Sequence, residues 1–271
     1  MSRSAEHRDG VSRRRLLKLV GGGALTGIAS TALAGCATAH PSLGPSTTTG
    51  AGPSPTAPTS ATPASPPVPA PAPAETSAAL LCRDAWGARP ARSGGTPHTI
   101  TRLTLHHSGV VLGDNRNAPG RLRQHQRYHQ DQQGWIDIAY HASVDRNGNI
   151  YELRATELVG DTATDYDPTG HFLVLCEGDF DTETVSEAQL RGTAIVFAWA
   201  AQRFGVSTET LASHRDFAPS TSCPGANLYA HLTSGSLKRR IDGLLAAGPV
   251  DLRRSCGAPA AEVVAAIEAG H

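Results

Sequence analysis

Residues 37–78 set the first limit on what this chain can fold into. Nearly every residue in the stretch is Pro, Ser, Thr, Ala or Gly, and the exceptions are His40, Leu43, Val68 and Glu75. Such a segment cannot bury enough apolar surface to offset the entropy lost on ordering it. We therefore expect a solvated tether over residues 36–78, with a reach of at most roughly 130 Å at about 3.1 Å per residue. The folded domain is expected only after it.

The segment before the tether, residues 1–35, has the pattern of a signal peptide. A basic cluster from Arg13 to Lys18 precedes a weakly apolar run from Leu19 to Ala34. The run is short and contains glycine, which favours a cleaved export signal over a membrane span, with a basic cytosolic tail as the alternative. SRRRLLK resembles a twin-arginine signal, and LAGC resembles a bacterial lipobox, whose cysteine is diacylated. The resemblance implies an exported protein at the outer face of the cytoplasmic membrane or in the cell wall, with a lipid on Cys36 as its membrane anchor.

The formal charge of zero hides an asymmetry along the chain. Residues 1–35 carry six Lys or Arg and two acidic residues, so the remainder has 18 basic and 22 acidic residues and a formal charge of −4. Binding to nucleic acid requires a basic surface. A nucleic-acid partner is therefore not expected.

Residues 79–247 show the punctuation of a single α/β domain with a mixed central β-sheet flanked by helices. Three strand signals are present, at residues 101–107, at 171–177 and in a hairpin of 138–145 and 149–153 that turns at Asn147-Gly148. Helix signals begin at Asn117-Ala118-Pro119, at a capping box over residues 186–189, and at Asn227, from which one final helix is predicted to run to Leu245. Residues 248–271 are set apart as a C-terminal tail with a short helix from Pro259.

Two histidines and one cysteine are the residues most suggestive of chemistry. His214 and Cys223 lie nine positions apart in SHRDFAPSTSCPG, and His106 is near the end of a predicted strand. Two imidazoles and a thiolate suit Zn²⁺, and three protein ligands leave a position open for catalysis. His106 and His107 face opposite sides of a strand, and the sequence alone does not choose between them. Alternation favours His106, because His107 shares parity with Leu103 and Leu105.

Several segments in their order along the chain resemble the type 2 N-acetylmuramoyl-L-alanine amidases, which include the peptidoglycan recognition proteins. They are RDAWGA, LTLHHSG, QRYHQDQQGWIDIAYH, GNIYELR and SHRDFAPSTSCPG, and they cover nearly all of residues 80–232. The resemblance implies this family's fold and a Zn²⁺ cofactor. It also implies hydrolysis of the amide between N-acetylmuramic acid and L-alanine of peptidoglycan stem peptides.

Carried over position by position, the resemblance makes His106, His214 and Cys223 the zinc ligands and Tyr140 a catalytic residue. Thr221 matches a position where relatives carry a polar or basic residue that helps the transition state. Gly134-Trp135 matches the variant associated with meso-diaminopimelate peptidoglycan. Trp135 and Arg154 are therefore predicted to bind substrate, with Arg154 against the additional carboxylate.

The chain departs from the family pattern in three places, one of which is the strand HFLVLCEGDF in place of the family's usual Ser-Ile-Gly start. The ligand histidine and cysteine usually lie eight positions apart, and here one residue is added within 218–220. A catalytic glutamate of the cytosolic relatives aligns with Leu175, and Glu177 lies two positions on. Packing roles are expected for His125, His129 and His141, and a local cap or ion pair for Asp137.

Two other functions compete with the enzyme. A module that binds muropeptides without cutting them would lack part of the ligand set and Tyr140, whereas a structural zinc domain would need a fourth ligand. Among the other cysteines, Cys176 is expected to be a buried thiol. An extracytoplasmic location would permit a disulfide between Cys82 and Cys256.

Overall fold

The computed structural model describes residues 75–271. The predicted signal peptide, Cys36 and the tether up to residue 74 lie outside the described residues. Seven strands form one sheet in the order β6-β2-β5-β3-β4-β1-β7. The strands are β1 (Ser77–Leu81), β2 (Arg102–His107), β3 (Ala142–Val144), β4 (Ile150–Glu152), β5 (His171–Cys176), β6 (Ala212–Ser213) and β7 (Asp251–Ser255).

All neighbouring strands are parallel except β3 and β4, which form the antiparallel hairpin. The predicted mixed sheet flanked by helices is therefore confirmed. The helices are α1 (Ala118–Asp131), α2 (Glu187–Phe204), α3 (His214–Phe217), α4 (Ala226–Thr233), α5 (Ser236–Ala247) and α6 (Gly257–Ala269). None of the helices in residues 75–271 is long and apolar enough to cross a membrane.

The central strand β5 separates two apolar clusters on opposite faces of the sheet. Phe172 and Val174 pack into the cluster that contains α2 and α5, whereas Leu175 packs into the one that contains α1 and α6. This alternation follows from the period of two along a strand. On β2, Leu103 and Leu105 belong to the α2 cluster, so His106 faces the α1 side, as the parity argument favoured.

Two predicted helix caps and two predicted element boundaries differ from the structure. Asn117 ends a short 3-10 helix and donates its side-chain amide to the carbonyl of Leu112 instead of capping α1. Ser186 accepts from the backbone N–H of Gln189, but the Gln189 amide donates to the carbonyls of Val144 and Glu177, so only half of the capping box forms.

The predicted final helix is two helices, α4 and α5. Gly235 adopts a left-handed conformation with φ 69° between them, and this interrupts the helical hydrogen bonding. The predicted hairpin strands are also shorter, because residues 138–141 lie outside β3.

Residues 251–269, set apart as a tail from the sequence, form β7 and α6 of the same folded unit. β7 pairs in parallel with β1, and α6 contributes Ala260, Val264 and Ile267 to the α1-side cluster. Cys82 and Cys256 form a disulfide across 174 residues of sequence. β1 begins at Ser77, so the folded part also starts two residues earlier than predicted.

Candidate metal centre and active site

His106, His214 and Cys223 come together at the edge of the sheet where β2 ends. Their potential ligand atoms all lie within 4.8 Å of one another. His106 is the penultimate residue of β2, His214 is the first residue of α3, and Cys223 lies in the loop before α4. His106 is 2% exposed and Cys223 7%. The cluster therefore offers two nitrogens and one sulfur in a largely buried position.

The loop from Ser213 to Gly225 is held by local hydrogen bonds. The backbone N–H and the hydroxyl of Ser213 both donate to Asp216 Oδ2 at 2.7 Å, which begins α3. The backbone N–H of Arg215 donates to the carbonyl of Cys223 at 3.0 Å, so the two ends of the loop meet. The N–H of Thr221 donates to the carbonyl of Ala218 at 3.1 Å. A turn over residues 218–221 therefore accommodates the added residue. Although His214 and Cys223 are nine positions apart in sequence, their potential ligand atoms still lie within 4.8 Å of each other.

Burial determines the protonation of the three groups. It is the main cause that lowers the pKa of His106 well below its usual value, and it lowers the pKa of His214 to about 4. Both imidazoles are therefore neutral near pH 7, the form that binds a metal. Burial raises the pKa of the Cys223 thiol to about 12, so the thiol ionises at neutral pH only with a cation beside it.

A hydrogen-bonding observation, in addition to the protonation of the three groups, fits a bound metal ion. Nε2 of His106 is buried and has no hydrogen-bond partner within the described part of the chain. A buried polar atom without a partner is rare in native structures and calls for a bound ligand, ion or water. Two imidazoles and a thiolate match the three-ligand zinc pattern.

Tyr140 lies against the cluster of His106, His214 and Cys223, and its predicted catalytic role stays a prediction. Its ring centroid is 5.1 Å from that of His106, and it lines a cavity of about 160 Å³ together with His106, Trp135 and His214. Burial is the main cause that raises the pKa of Tyr140, so the hydroxyl stays protonated and is available as a hydrogen-bond donor.

Thr221 has a local contact in the structure. Its hydroxyl accepts the backbone N–H of Cys223 at 3.2 Å, and it is not among the described residues that line the cavity beside His106 and His214. The hydroxyl thus helps to shape the ligand loop. The predicted contribution of Thr221 to catalysis stays a prediction.

Trp135 and Arg154 line a neighbouring cavity of about 410 Å³. Trp135 also lines the cavity beside His106 and His214, so the two cavities adjoin at this residue. The Arg154 side chain is 2% exposed, is ion-paired with Asp161, and donates to the carbonyls of Asp137, Ile138 and Val159. A carboxylate of a ligand would have to compete with Asp161 for this guanidinium. The predicted role of Arg154 in substrate binding stays a prediction, and it requires the ligand to displace Asp161.

The segment from 161 to 167 contributes groups that the sequence analysis missed. Thr164 Oγ1 lies 2.7 Å from Nε2 of His214, and the ring of Tyr166 lies 5.2 Å from that of His214. The Tyr166 hydroxyl is buried without a partner among residues 75–271. The sequence of this loop has neither periodicity nor a motif, and only the fold places it over His214.

His129, His141 and Asp137 have the packing and ion-pair roles that the sequence predicts. His141 stacks on Phe172 at 5.5 Å, and its Nδ1 accepts the backbone N–H of Leu173. His129 Nδ1 accepts the N–H of Ala139 at 3.2 Å, which holds α1 to the loop before Tyr140. Asp137 forms an ion pair with Arg83 at 2.8 Å.

Comparison with known proteins agrees with this geometry. The sequence profile of the N-acetylmuramoyl-L-alanine amidase family matches residues 96–226. Peptidoglycan-recognition protein LB of Drosophila melanogaster is 30% identical over 58% of this chain and 69% of its own length. The chain belongs to the N-acetylmuramoyl-L-alanine amidase and peptidoglycan-recognition protein family.

Two further members of this family are informative. The N-acetylmuramoyl-L-alanine amidase of Sus scrofa is 34% identical over 57% of this chain, but over only 27% of its own length. The structure of peptidoglycan recognition protein LE, solved with tracheal cytotoxin, a monomeric diaminopimelic acid-type peptidoglycan, matches with 25% identity and a TM-score of 0.53, over 58% of this chain and 93% of that one. The family thus includes proteins named for amidase activity and proteins named for recognition.

Proposed function

We propose that this chain is a zinc-dependent amidase that hydrolyses the bond between N-acetylmuramic acid and L-alanine in peptidoglycan. The observation that carries the proposal is the complete cluster of His106, His214 and Cys223, with Tyr140 beside it. A module that only binds muropeptides needs neither the buried thiol nor the unpartnered imidazole nitrogen.

Each group of the site has a defined part in this chemistry. His106, His214 and Cys223 would hold the metal, and two neutral imidazoles with one thiolate leave a divalent ion with a net charge of +1. Bound zinc supplies Lewis acidity, which polarises a carbonyl and lowers the pKa of a bound water. The Tyr140 hydroxyl donates a hydrogen bond to the carbonyl oxygen of the scissile amide as that oxygen gains negative charge. Thr164, through Nε2 of His214, holds that imidazole in place.

The proposed substrate is peptidoglycan of the meso-diaminopimelate type. The relative solved with a diaminopimelic acid-type muropeptide supports this choice, as does the cavity formed by Gly134, Trp135 and Arg154 beside the metal cavity. We also propose that the protein is exported and carries a lipid on Cys36. The basic and apolar pattern of residues 1–35 and the LAGC sequence support that part.

The decisive experiment is digestion of purified meso-diaminopimelate peptidoglycan, with added zinc and with chelator, followed by mass spectrometry of released stem peptides that begin in L-alanine. Zinc-dependent release that is lost in Cys223→Ala supports the enzyme. Cys176→Ala is the matched control, since Cys176 is also a buried free thiol but contacts Thr193 instead of the metal cluster. Retained binding of muropeptide by a zinc-loaded protein that releases no stem peptide would leave the recognition module as the function.

A further inference from the structure

A second cavity of about 290 Å³ adjoins the metal cavity, and the two share Tyr128, His129 and Tyr140. Its wall combines apolar and polar groups. Val110 and Tyr128 line it, at 39% and 52% exposure, and they are two of the four exposed large apolar side chains in residues 75–271. Arg121 and His125 supply polar groups on the same wall. An apolar surface with a few fixed polar groups is the usual composition of a binding site for a small ligand.

Three buried polar atoms around this cavity have no hydrogen-bond partner among the described residues. They are Nε of Arg121, Nδ1 of His125 and Oε2 of Glu177. Glu177 lies behind His125 and is 1% exposed, and its Oε1 is 3.8 Å from Nδ1 of His125. That separation is too long for a hydrogen bond, and a shift of about 1 Å would bring it into range. Its other partners are hydroxyls: Ser143 donates to Oε1 at 3.5 Å, and the Ser108 side chain also hydrogen-bonds the carboxyl.

The burial of the pair determines where its protons reside. Desolvation raises the pKa of Glu177 to about 8; a hydrogen bond from Ser108 and the charge of Arg121 oppose the rise, and the charge of Asp145 adds to it. Desolvation lowers the pKa of His125 to about 4, with further lowering by His129 and Arg121. A protonated carboxylic acid therefore faces a neutral imidazole near pH 7.

The other titratable groups that face the pair keep their charge between pH 6 and 9. The pKa of His129 on α1 is lowered to about 4 by burial. Burial raises the pKa of Tyr140, and the pKa of Tyr151 on β4 is also raised, first by burial and then by Asp145. Glu177 is thus the group of this cluster that ionises in the range.

We propose that the carboxylic acid of Glu177 donates a hydrogen bond to Nδ1 of His125 and so holds the imidazole as its Nε2–H tautomer, which donates to an uncharged acceptor oxygen of the ligand in this cavity. His125 is then a binding residue and Glu177 a positioning residue. When Glu177 loses its proton to solvent, its carboxylate accepts a hydrogen bond instead. The imidazole proton moves to Nδ1, and Nε2 becomes an acceptor.

The chemistry of the wall indicates an N-acetyl sugar as the ligand. A pyranose has apolar ring faces for Tyr128 and Val110, and its hydroxyl and acetamido oxygens are uncharged acceptors. This identification rests on the proposed peptidoglycan substrate, whereas the tautomer of His125 does not.

The tautomer is measured directly by long-range ¹H–¹⁵N NMR on the full chain labelled with ¹⁵N-histidine, with His125→Gln to assign the signals. We expect the Nε2–H tautomer at pH 6.5 and its conversion to Nδ1–H as the pH rises through about 8. In Glu177→Gln the side-chain amide still donates to Nδ1 and cannot ionise, so the Nε2–H form should persist at pH 9. An Nδ1–H or doubly protonated ring at pH 6.5, or the same pH profile in Glu177→Gln, overturns the proposal.

Ligand binding is tested by titration with N-acetylglucosamine, followed by NMR. We expect shifts at residues 108–111 and 121–128, and an affinity about two- to tenfold lower in His125→Phe and Glu177→Leu. Glu177→Gln should bind as the wild type does at pH 6.5 and keep its affinity at pH 9, where the wild type weakens. Shifts elsewhere, or equal affinity in all variants, refute the ligand assignment. Because this sugar has no stem amide, loss of amidase activity with sugar binding intact would count against the proposed reaction alone.

Discussion

Removal of the Cys82–Cys256 disulfide should destabilise the domain strongly while leaving its fold intact. The bond closes a loop of 174 residues. Loop-closure entropy for a loop of this size corresponds to about 5 kcal/mol at 25 °C, and losses of 2–5 kcal/mol are typical when a native disulfide is removed. We therefore expect Cys82→Ala/Cys256→Ala to lower the free energy of unfolding by about 3–5 kcal/mol.

Contacts around the bond keep the native fold available to this variant. The backbone N–H of Cys82 donates to the carbonyl of Ser255 at 2.9 Å, and that of Gly257 donates to Asp84 at 2.9 Å. At about 2–4 °C per kcal/mol for a domain of this size, Tm should fall by roughly 6–20 °C.

The assay is urea and thermal unfolding followed by circular dichroism. Cys176→Ala, which removes a fully buried sulfur that is not in a disulfide, measures the packing cost of losing a sulfur atom. A double variant whose Tm lies within about 2 °C of this control would refute the reasoning, since the cross-link would then contribute less than about 1 kcal/mol.

Three further predictions concern single residues. Tyr140→Phe should lower kcat of stem-peptide release by about 10²-fold while zinc content, measured by atomic absorption, stays unchanged; loss of zinc instead would show a structural role. Gly225→Ala should lower Tm and metal affinity together, because Gly225 has φ 82° and a Cβ would lie 2.5 Å from the carbonyl carbon of Phe180; a stable variant with normal zinc binding would contradict this. Because burial raises the pKa of Glu177 to about 8, above its value of about 4.5 in the unfolded chain, the folded state binds this proton more tightly. The stability that Glu177 contributes is thus fully present below pH 4.5 and is lost by up to about 1.4 kcal/mol per pH unit as the pH rises to about 8. Urea unfolding at several pH values should show this fall in the free energy of unfolding for the wild type relative to Glu177→Gln. Equal pH dependence in the two proteins would refute the prediction.

The elements that the sequence predicted well are those determined by local pattern. The strand ending at His107, the start of α1 near Pro119 and the hairpin at Gly148 all follow from periodicity or turn chemistry within a few residues. The wrong predictions concern features that depend on how helices and strands pack. Ser234-Gly235 could continue or break a helix, and only the packing of α4 and α5 selects the left-handed glycine.

In the candidate site, too, local sequence predicted some features and packing determined others. The spacing of His214 and Cys223, together with the family resemblance, identified a ligand set that the structure brings together. Neither could show that Arg154 is already paired with Asp161, because that pairing depends on a loop whose path has no sequence signal.

By itself, the sequence predicted the fold class, two of the candidate ligands, His214 and Cys223, and a folded part after a low-complexity segment. Only the tertiary structure decided that residues 251–269 complete the sheet and the α1-side cluster, that Thr164 and Tyr166 flank His214, and that Glu177 lies behind His125. The physical reason is that a local pattern records which face of an element is apolar, whereas contacts between residues far apart in sequence depend on how whole elements pack.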